Sequence, residues 1–223
     1  MDWRDDETLS TQIRAMSRRQ RNQAAYLALR RLERPLVGIP MPESWGVEAS
    51  VMNALLRSGE AQMDGEVNRE LQQAVIDLHA APLFQSEIEP EFAQSFQLEA
   101  INGWLMLGDA LGELSEAQTD KVISLARELA DYLDKYMENS LTVVAGEVDR
   151  ERYLAGVDER FTSYGMGYFG TRNLVVEGAC HEAILASSVN EELLSSVLGR
   201  QLLELCDEYS NEMTLALTAF PVD

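Results

Sequence analysis

Only a few side chains in this sequence have the chemistry of a reaction centre, and they gather late in the chain. Glu177, Cys180 and His181 lie close together, and on a helix Glu177 and His181 would share one face. A carboxylate beside an imidazole can ligate a metal or pass a proton. A helical di-iron centre, however, takes two Glu-x-x-His pairs and two further carboxylates. Neither His79 nor His181, the two histidines of the chain, has a glutamate three residues before it. No Cys-x-x-Cys pair is available for zinc. The Glu177–His181 pair therefore reads as a structural contact, and no metal or other cofactor is expected.

Gly165-Met166-Gly167-Tyr168-Phe169-Gly170 has the spacing G-x-G-x-x-G. Those glycines hold a pyrophosphate only where they follow a strand and open a helix. The residues before them, Asp158 to Tyr164, do not alternate as an apolar strand, so a dinucleotide is not expected. The stretch reads instead as an aromatic loop, with Tyr164, Tyr168 and Phe169 flanked by Arg160 and Arg172. Aromatics and arginines on loops are favoured anchors for protein partners, although the same rings could simply plug a core. No G-x-S-x-G nucleophile turn occurs. Asp131 and Asp134 read as a solvated helix face.

The elements that must position these residues are helical. Thirty leucines stand against 22 valines and isoleucines together, the balance of a helix-rich chain. Leu98 to Leu111 is apolar on nearly every side, as a helix buried among others must be. Ser115 and Gln118 then spell a capping box, followed by the stripe Val122, Leu125, Ala126, Leu129, Leu133 and Tyr136. The two runs predict a central buried hairpin joined at 112–114. A second box, Ser17 with Gln20, opens a helix with Ala24, Leu27, Ala28 and Leu32 on its apolar face. That helix lies in a basic N-terminal segment, 8–34, and is expected to stop at Pro35. Residues 35–42 read as an extended connector before a helix whose face is Trp45, Ala49, Met52 and Leu56. Residues 140–148 fit either a strand or a continued helix. Two closing helices are expected at 174–187 and 191–213, the second burying Leu194, Val197, Leu198, Leu205, Cys206 and Tyr209. Without repeats or a long linker, the expectation is an all-α single compact domain, 1–223, of roughly eight helices.

Charge carries the functional reading. The formal net charge is −20. Residues 1–34 hold eight arginines and five acids, which leaves −23 on the remainder. Residues 35–120 contain fifteen acids, Glu87, Glu89 and Glu91 among them, against Arg57 and Arg69. Such a field repels nucleic acid and anionic membranes and attracts cationic proteins, while plain solubility would also account for it. The N-terminal arginines read as internal partners for the acidic body rather than as phosphate contacts. Met1 to Glu7 lacks the basic and apolar parts of a secretory signal, and Cys180 and Cys206 read as buried thiols, so a cytoplasmic protein is expected.

These features favour an acidic protein-binding module that neutralises a basic protein. Glu87, Glu89 and Glu91 would then steer the partner, and Tyr164, Tyr168 and Phe169 would anchor it. In charge character the chain resembles the acidic immunity partners of bacterial toxin systems, a likeness that carries no motif and assigns no residue. The alternatives are a small helical enzyme with an unrecognised site and a nucleic-acid mimic.

Overall fold

The computed structural model describes residues 6–62, 69–85, 90, 92–110, 113–144, 167–188 and 193–219, the side chains of 58–62, 92, 138–144 and 219 excepted. Among these residues there are nine α-helices, three single 3-10 turns and no strand. The helices are α1 (Asp6–Ala15), α2 (Arg18–Arg30), α3 (Glu33–Gly38), α4 (Ala49–Gln62) and α5 (Arg69–His79), then α6 (Phe92–Asp109), α7 (Glu116–Val144), α8 (Tyr168–Ala186) and α9 (Val197–Ala219). None is long and apolar enough to cross a membrane.

Helix α2 begins at the capping box read from sequence. The Ser17 N–H donates to Gln20 Oε1 at 2.8 Å, and the Gln20 N–H donates to Ser17 Oγ at 3.3 Å. The Gln20 amide also donates to the Ile184 carbonyl at 2.7 Å, so the cap ties α2 to the end of α8. Helix α2 is more central than one apolar face implies: Asn22 to Leu29 are all buried. It packs against α3, α6, α7, α8 and α9. Its interior carries Ala24, Ala25 and Ala28, and such small side chains allow helices to close in on every side.

The expected α6–α7 hairpin is present, with Ile101, Trp104, Leu105 and Leu107 buried. The Gln118 N–H donates to Ser115 Oγ at 3.3 Å, and the Ser115 N–H to Gln118 Oε1 at 3.0 Å. Trp104 meets Tyr26 of α2 edge-on at 6.0 Å between ring centres. The pair α4–α5 stacks on α6, and α1 lies on α7.

Several boundaries differ from the sequence reading. Pro35 does not end the helical path; it sits in the first turn of α3, where its missing N–H has no intrahelical partner to lose. The adjacent Arg34 N–H donates to Ser210 Oγ at 2.9 Å. The stretch 35–42 is thus extended only after Gly38. Trp45 lies on a separate 3-10 turn, and α4 starts at Ala49 and continues past Ser58-Gly59. Residues 140–144 continue α7; 145–148 lie outside the described residues. On α9, Val197 and Leu198 are exposed, and the buried stripe is Leu202, Cys206, Tyr209, Met213 and Leu217. That set holds one face over four turns; Val197 lies off it, while Leu198 is in line with Leu202 but stands in the exposed opening turn of the helix.

Candidate functional site

The chemistry-bearing residues of α8 converge on one polar cluster inside the helical core. Asn173, Glu177, Cys180 and His181 recur at three- and four-residue spacing and are all buried. Glu177 receives the Arg127 guanidinium of α7 through Nη2 at 2.5 Å and Nε at 3.1 Å. Arg31, in the turn after α2, approaches the other oxygen at 3.6 Å and donates to the Asn173 carbonyl at 3.1 Å. His181 Nδ1 lies 3.0 Å from Gln12 Oε1 of α1. The sequence pattern placed Glu177 beside His181; the two arginines come from 146 and 50 positions away, separations at which no local spacing signals a pairing.

Electrostatics suits this cluster to structure. Glu177 is 0% exposed and Arg31 2%, and a buried carboxylate with two guanidiniums answers a charge that would otherwise be stranded. Burial pushes the His181 imidazole down from 6.5 to about 4; Glu177 opposes that shift, while Arg31 and Arg127 add to it. The ring is therefore neutral at pH 7. Cys180 and Cys206 are free thiols with sulfurs 4.0 Å apart. The contact with Cys206 lowers the Cys180 thiol, and the same contact together with burial raises that of Cys206. Among the described residues no group of three or more His, Cys, Asp or Glu side chains could hold a metal ion.

The glycine motif leads elsewhere too. Gly165 and Met166 lie outside the described residues, and α8 begins at Tyr168. Two N–H groups of its first turn already have a partner. Phe169 N–H donates to Asp134 Oδ1 at 2.8 Å, and Gly170 N–H to Asp134 Oδ2 at 2.7 Å. A carboxylate from α7 thus occupies the end of α8 that a phosphate would use, and it satisfies the helix dipole from within. Asp134 is buried, contrary to the solvated face expected from sequence; Asp131 is exposed and pairs with Lys135. A Cβ on Gly167 would come within 2.2 Å of Asp134 Cγ, so glycine is required there by this close approach.

The residues expected to meet a partner are distributed as follows. Tyr168 and Phe169 stand in the first turn of α8 rather than on a loop. Phe169 is buried against Tyr209, and the half-buried Tyr168 donates to Glu212 at 3.0 Å. Glu87, Glu89, Glu91 and Tyr164 lie outside the described residues.

The arginines find partners both inside the protein and at its surface. Arg30 forms a two-pronged pair with Asp207 at 2.7 and 2.9 Å and also reaches Glu33. Arg34 adds to Asp207, Arg18 pairs with Glu113, Arg57 with Glu70, and Arg172 with Glu208 and Glu212. Arg21 donates to the carbonyls of Leu114 and Met16. The N-terminal arginines are thus largely turned to internal contacts. Exposed acids include Glu43, Glu48, Asp77, Glu99, Glu116 and Glu182.

Comparison with known proteins gives no match: no family model, curated protein or solved structure is significantly similar to this chain.

Proposed function

We propose that this protein is an acidic binding module that captures a cationic protein, in the manner of an immunity protein holding a basic toxin. The observation that carries the reading is the excess of acid left at the surface once the arginines have found their partners. Among the described residues most arginines have partners within the protein, some buried and some, such as Arg18 and Arg57, in exposed pairs, while acids such as Glu43, Glu48, Asp77, Glu99 and Glu116 face solvent. A field of one sign at the surface speeds encounter with a partner of the opposite sign and deters nucleic acid. The cluster around Glu177 adds nothing to such binding, because it is enclosed by the helices it joins.

The test has two stages. The protein is first used as bait in its native host, and a basic protein that co-purifies in fixed stoichiometry is isolated. Association kinetics between the purified pair are then measured across a salt series. The association rate is expected to fall steeply with ionic strength, with dissociation changing much less. An association rate indifferent to salt would refute electrostatic capture and leave the acidity as a matter of solubility.

A further inference from the structure

We propose that the apolar cleft between α3, its following connector and α4 seats an apolar side chain of a cationic protein partner, with Glu43 and Glu48 receiving the lysine or arginine side chains around it. This rests on the reading of the protein as a capture module for a basic protein and gives that module a docking point. The cleft has a volume of about 330 Å³ and is walled by Leu36, Val37, Ile39, Met41, Val47 and Met52. That is the lower end of the range of sites that accept a small ligand or an anchoring side chain. Val37 stands 49% exposed at its margin, and Ala49, another lining residue, is exposed at the start of α4.

The walls are held apart by contacts behind them. Gln97 of α6 is fully buried, and its amide donates to the carbonyls of Pro35 at 3.2 Å and Ile39 at 2.9 Å. That fixes the end of α3 and the start of the connector. At the other end Trp45 is buried, and Gly46 turns the chain at φ 60° against Pro82, 2.5 Å from where a Cβ would stand. The connector is thus held at both ends. The apolar surface is therefore preorganised to receive an anchor, and a partner does not pay to order it.

Charge selects the occupant. Glu48 lies between the lining residues Val47 and Ala49, and Glu43 lies two residues beyond Met41; both are exposed. Among the described residues no arginine or lysine lines the cleft, and Asn53 is the polar side chain in its lining. An apolar floor with two exposed glutamates on the same stretch of chain matches a segment that carries an apolar anchor among basic residues. Binding energy at such contacts comes from the desolvated anchor, and the charges at the edge set orientation and approach.

The experiment uses the full chain, isotopically labelled, and a short amphipathic peptide of leucine and lysine as probe. Controls are the same peptide with serine for leucine, the same with glutamate for lysine, and benzene. Amide shifts are expected around Val37, Ile39, Val47 and Met52 with the leucine–lysine peptide, and binding weaker by about tenfold or more with each control peptide. Ala49→Phe, which fills the cleft from its open edge, should abolish those shifts. Glu43→Lys/Glu48→Lys should weaken binding and flatten its salt dependence. If the serine–lysine peptide binds equally well, with shifts spread over other acidic surfaces, the cleft is not the docking point but acidic capture survives. If neither lysine peptide binds, both readings fall. If benzene or the leucine–glutamate peptide fills the cleft as well as the cationic probe does, it is a site for apolar ligands and the proposal is overturned.

Discussion

Replacing Glu177 by glutamine tests whether the buried cluster holds the core together through charge. The substitution preserves shape and leaves an oxygen that can still accept from Arg127. It removes the one negative charge that lies between Arg127 Nη2, at 2.5 Å, and Arg31 Nη2, at 3.6 Å. Arg31 is 2% exposed, so water cannot replace the carboxylate for it; Arg127, 15% exposed, keeps among the described residues only the solvent-exposed Asp6 at 3.9 Å. Breaking a buried pair from one side costs about 3–5 kcal/mol, a large part of the about 5–15 kcal/mol that holds a domain folded. In a chain of this length each kcal/mol moves the midpoint by about 2–4 °C, so E177Q should lower Tm by about 6–20 °C. Urea unfolding followed by helix circular dichroism, and separately by emission from the buried Trp45 and Trp104, measures the loss; coincident curves establish that the transition is two-state. The triple variant R31M/R127M/E177L removes all three charges and should unfold later than E177Q, because nothing charged is left stranded. A loss below about 1 kcal/mol for E177Q, in the range of an exposed pair, would refute the desolvation described here.

His181 should make the protein acid-sensitive. Its pKa falls from 6.5 in the unfolded chain to about 4 in the fold, so the unfolded state binds the extra proton between those values. The stabilisation is complete above pH 6.5 and lost as pH falls toward 4, about 3 kcal/mol in all; H181Q should flatten that slope in unfolding curves taken across the window. Asp134→Ala strips two N–H groups at the head of α8 and should cost about 1–2 kcal/mol. Gly167→Ala should also destabilise, since its Cβ collides with the same carboxylate; equal stability of both variants with the parent would dismiss the cap. Leu105→Ala opens a void in the buried face of α6 and should cost about 2–5 kcal/mol in the same assay.

Much of the helical framework is legible in local spacing. The boxes at Ser17 and Ser115 mark helix starts because side chain and backbone meet within three residues, so the signal needs no tertiary context. The hairpin of α6 and α7 follows from the same kind of information. The centrality of α2 was hidden because its apolar set marks only one face, whereas the polar Asn22 and Gln23 are buried as well; its arginines, expected as internal partners, do reach Asp207 of α9 from Arg30 and Glu177 of α8 from Arg31. Asp134 was misplaced for a similar reason: an aspartate on a polar stretch looks solvated until another helix ends on it. Val197 and Leu198 illustrate the converse, since both are left exposed in the opening turn of α9, although Leu198 is in line with the buried stripe and only Val197 lies off it. Of the expected partner-binding residues, Tyr168 and Phe169 stand where α8 meets α7 and α9, and their rings are turned to internal neighbours.

The two sulfurs held 4.0 Å apart between α8 and α9 make the protein its own recorder of opening events. Cys206 also contacts the Leu27 carbonyl, so access requires movement away from α2 as well. A chromogenic aryl disulfide will react only with molecules in which those helices have separated. At high reagent concentration the colour then develops at the rate of separation, and at low concentration it follows the opening equilibrium. After the first capture the neighbouring thiol stands ready to displace the reagent, closing a cystine and releasing a second chromophore. Each captured opening thus yields two equivalents of colour, once per molecule, and leaves a covalent mark that no later closure erases.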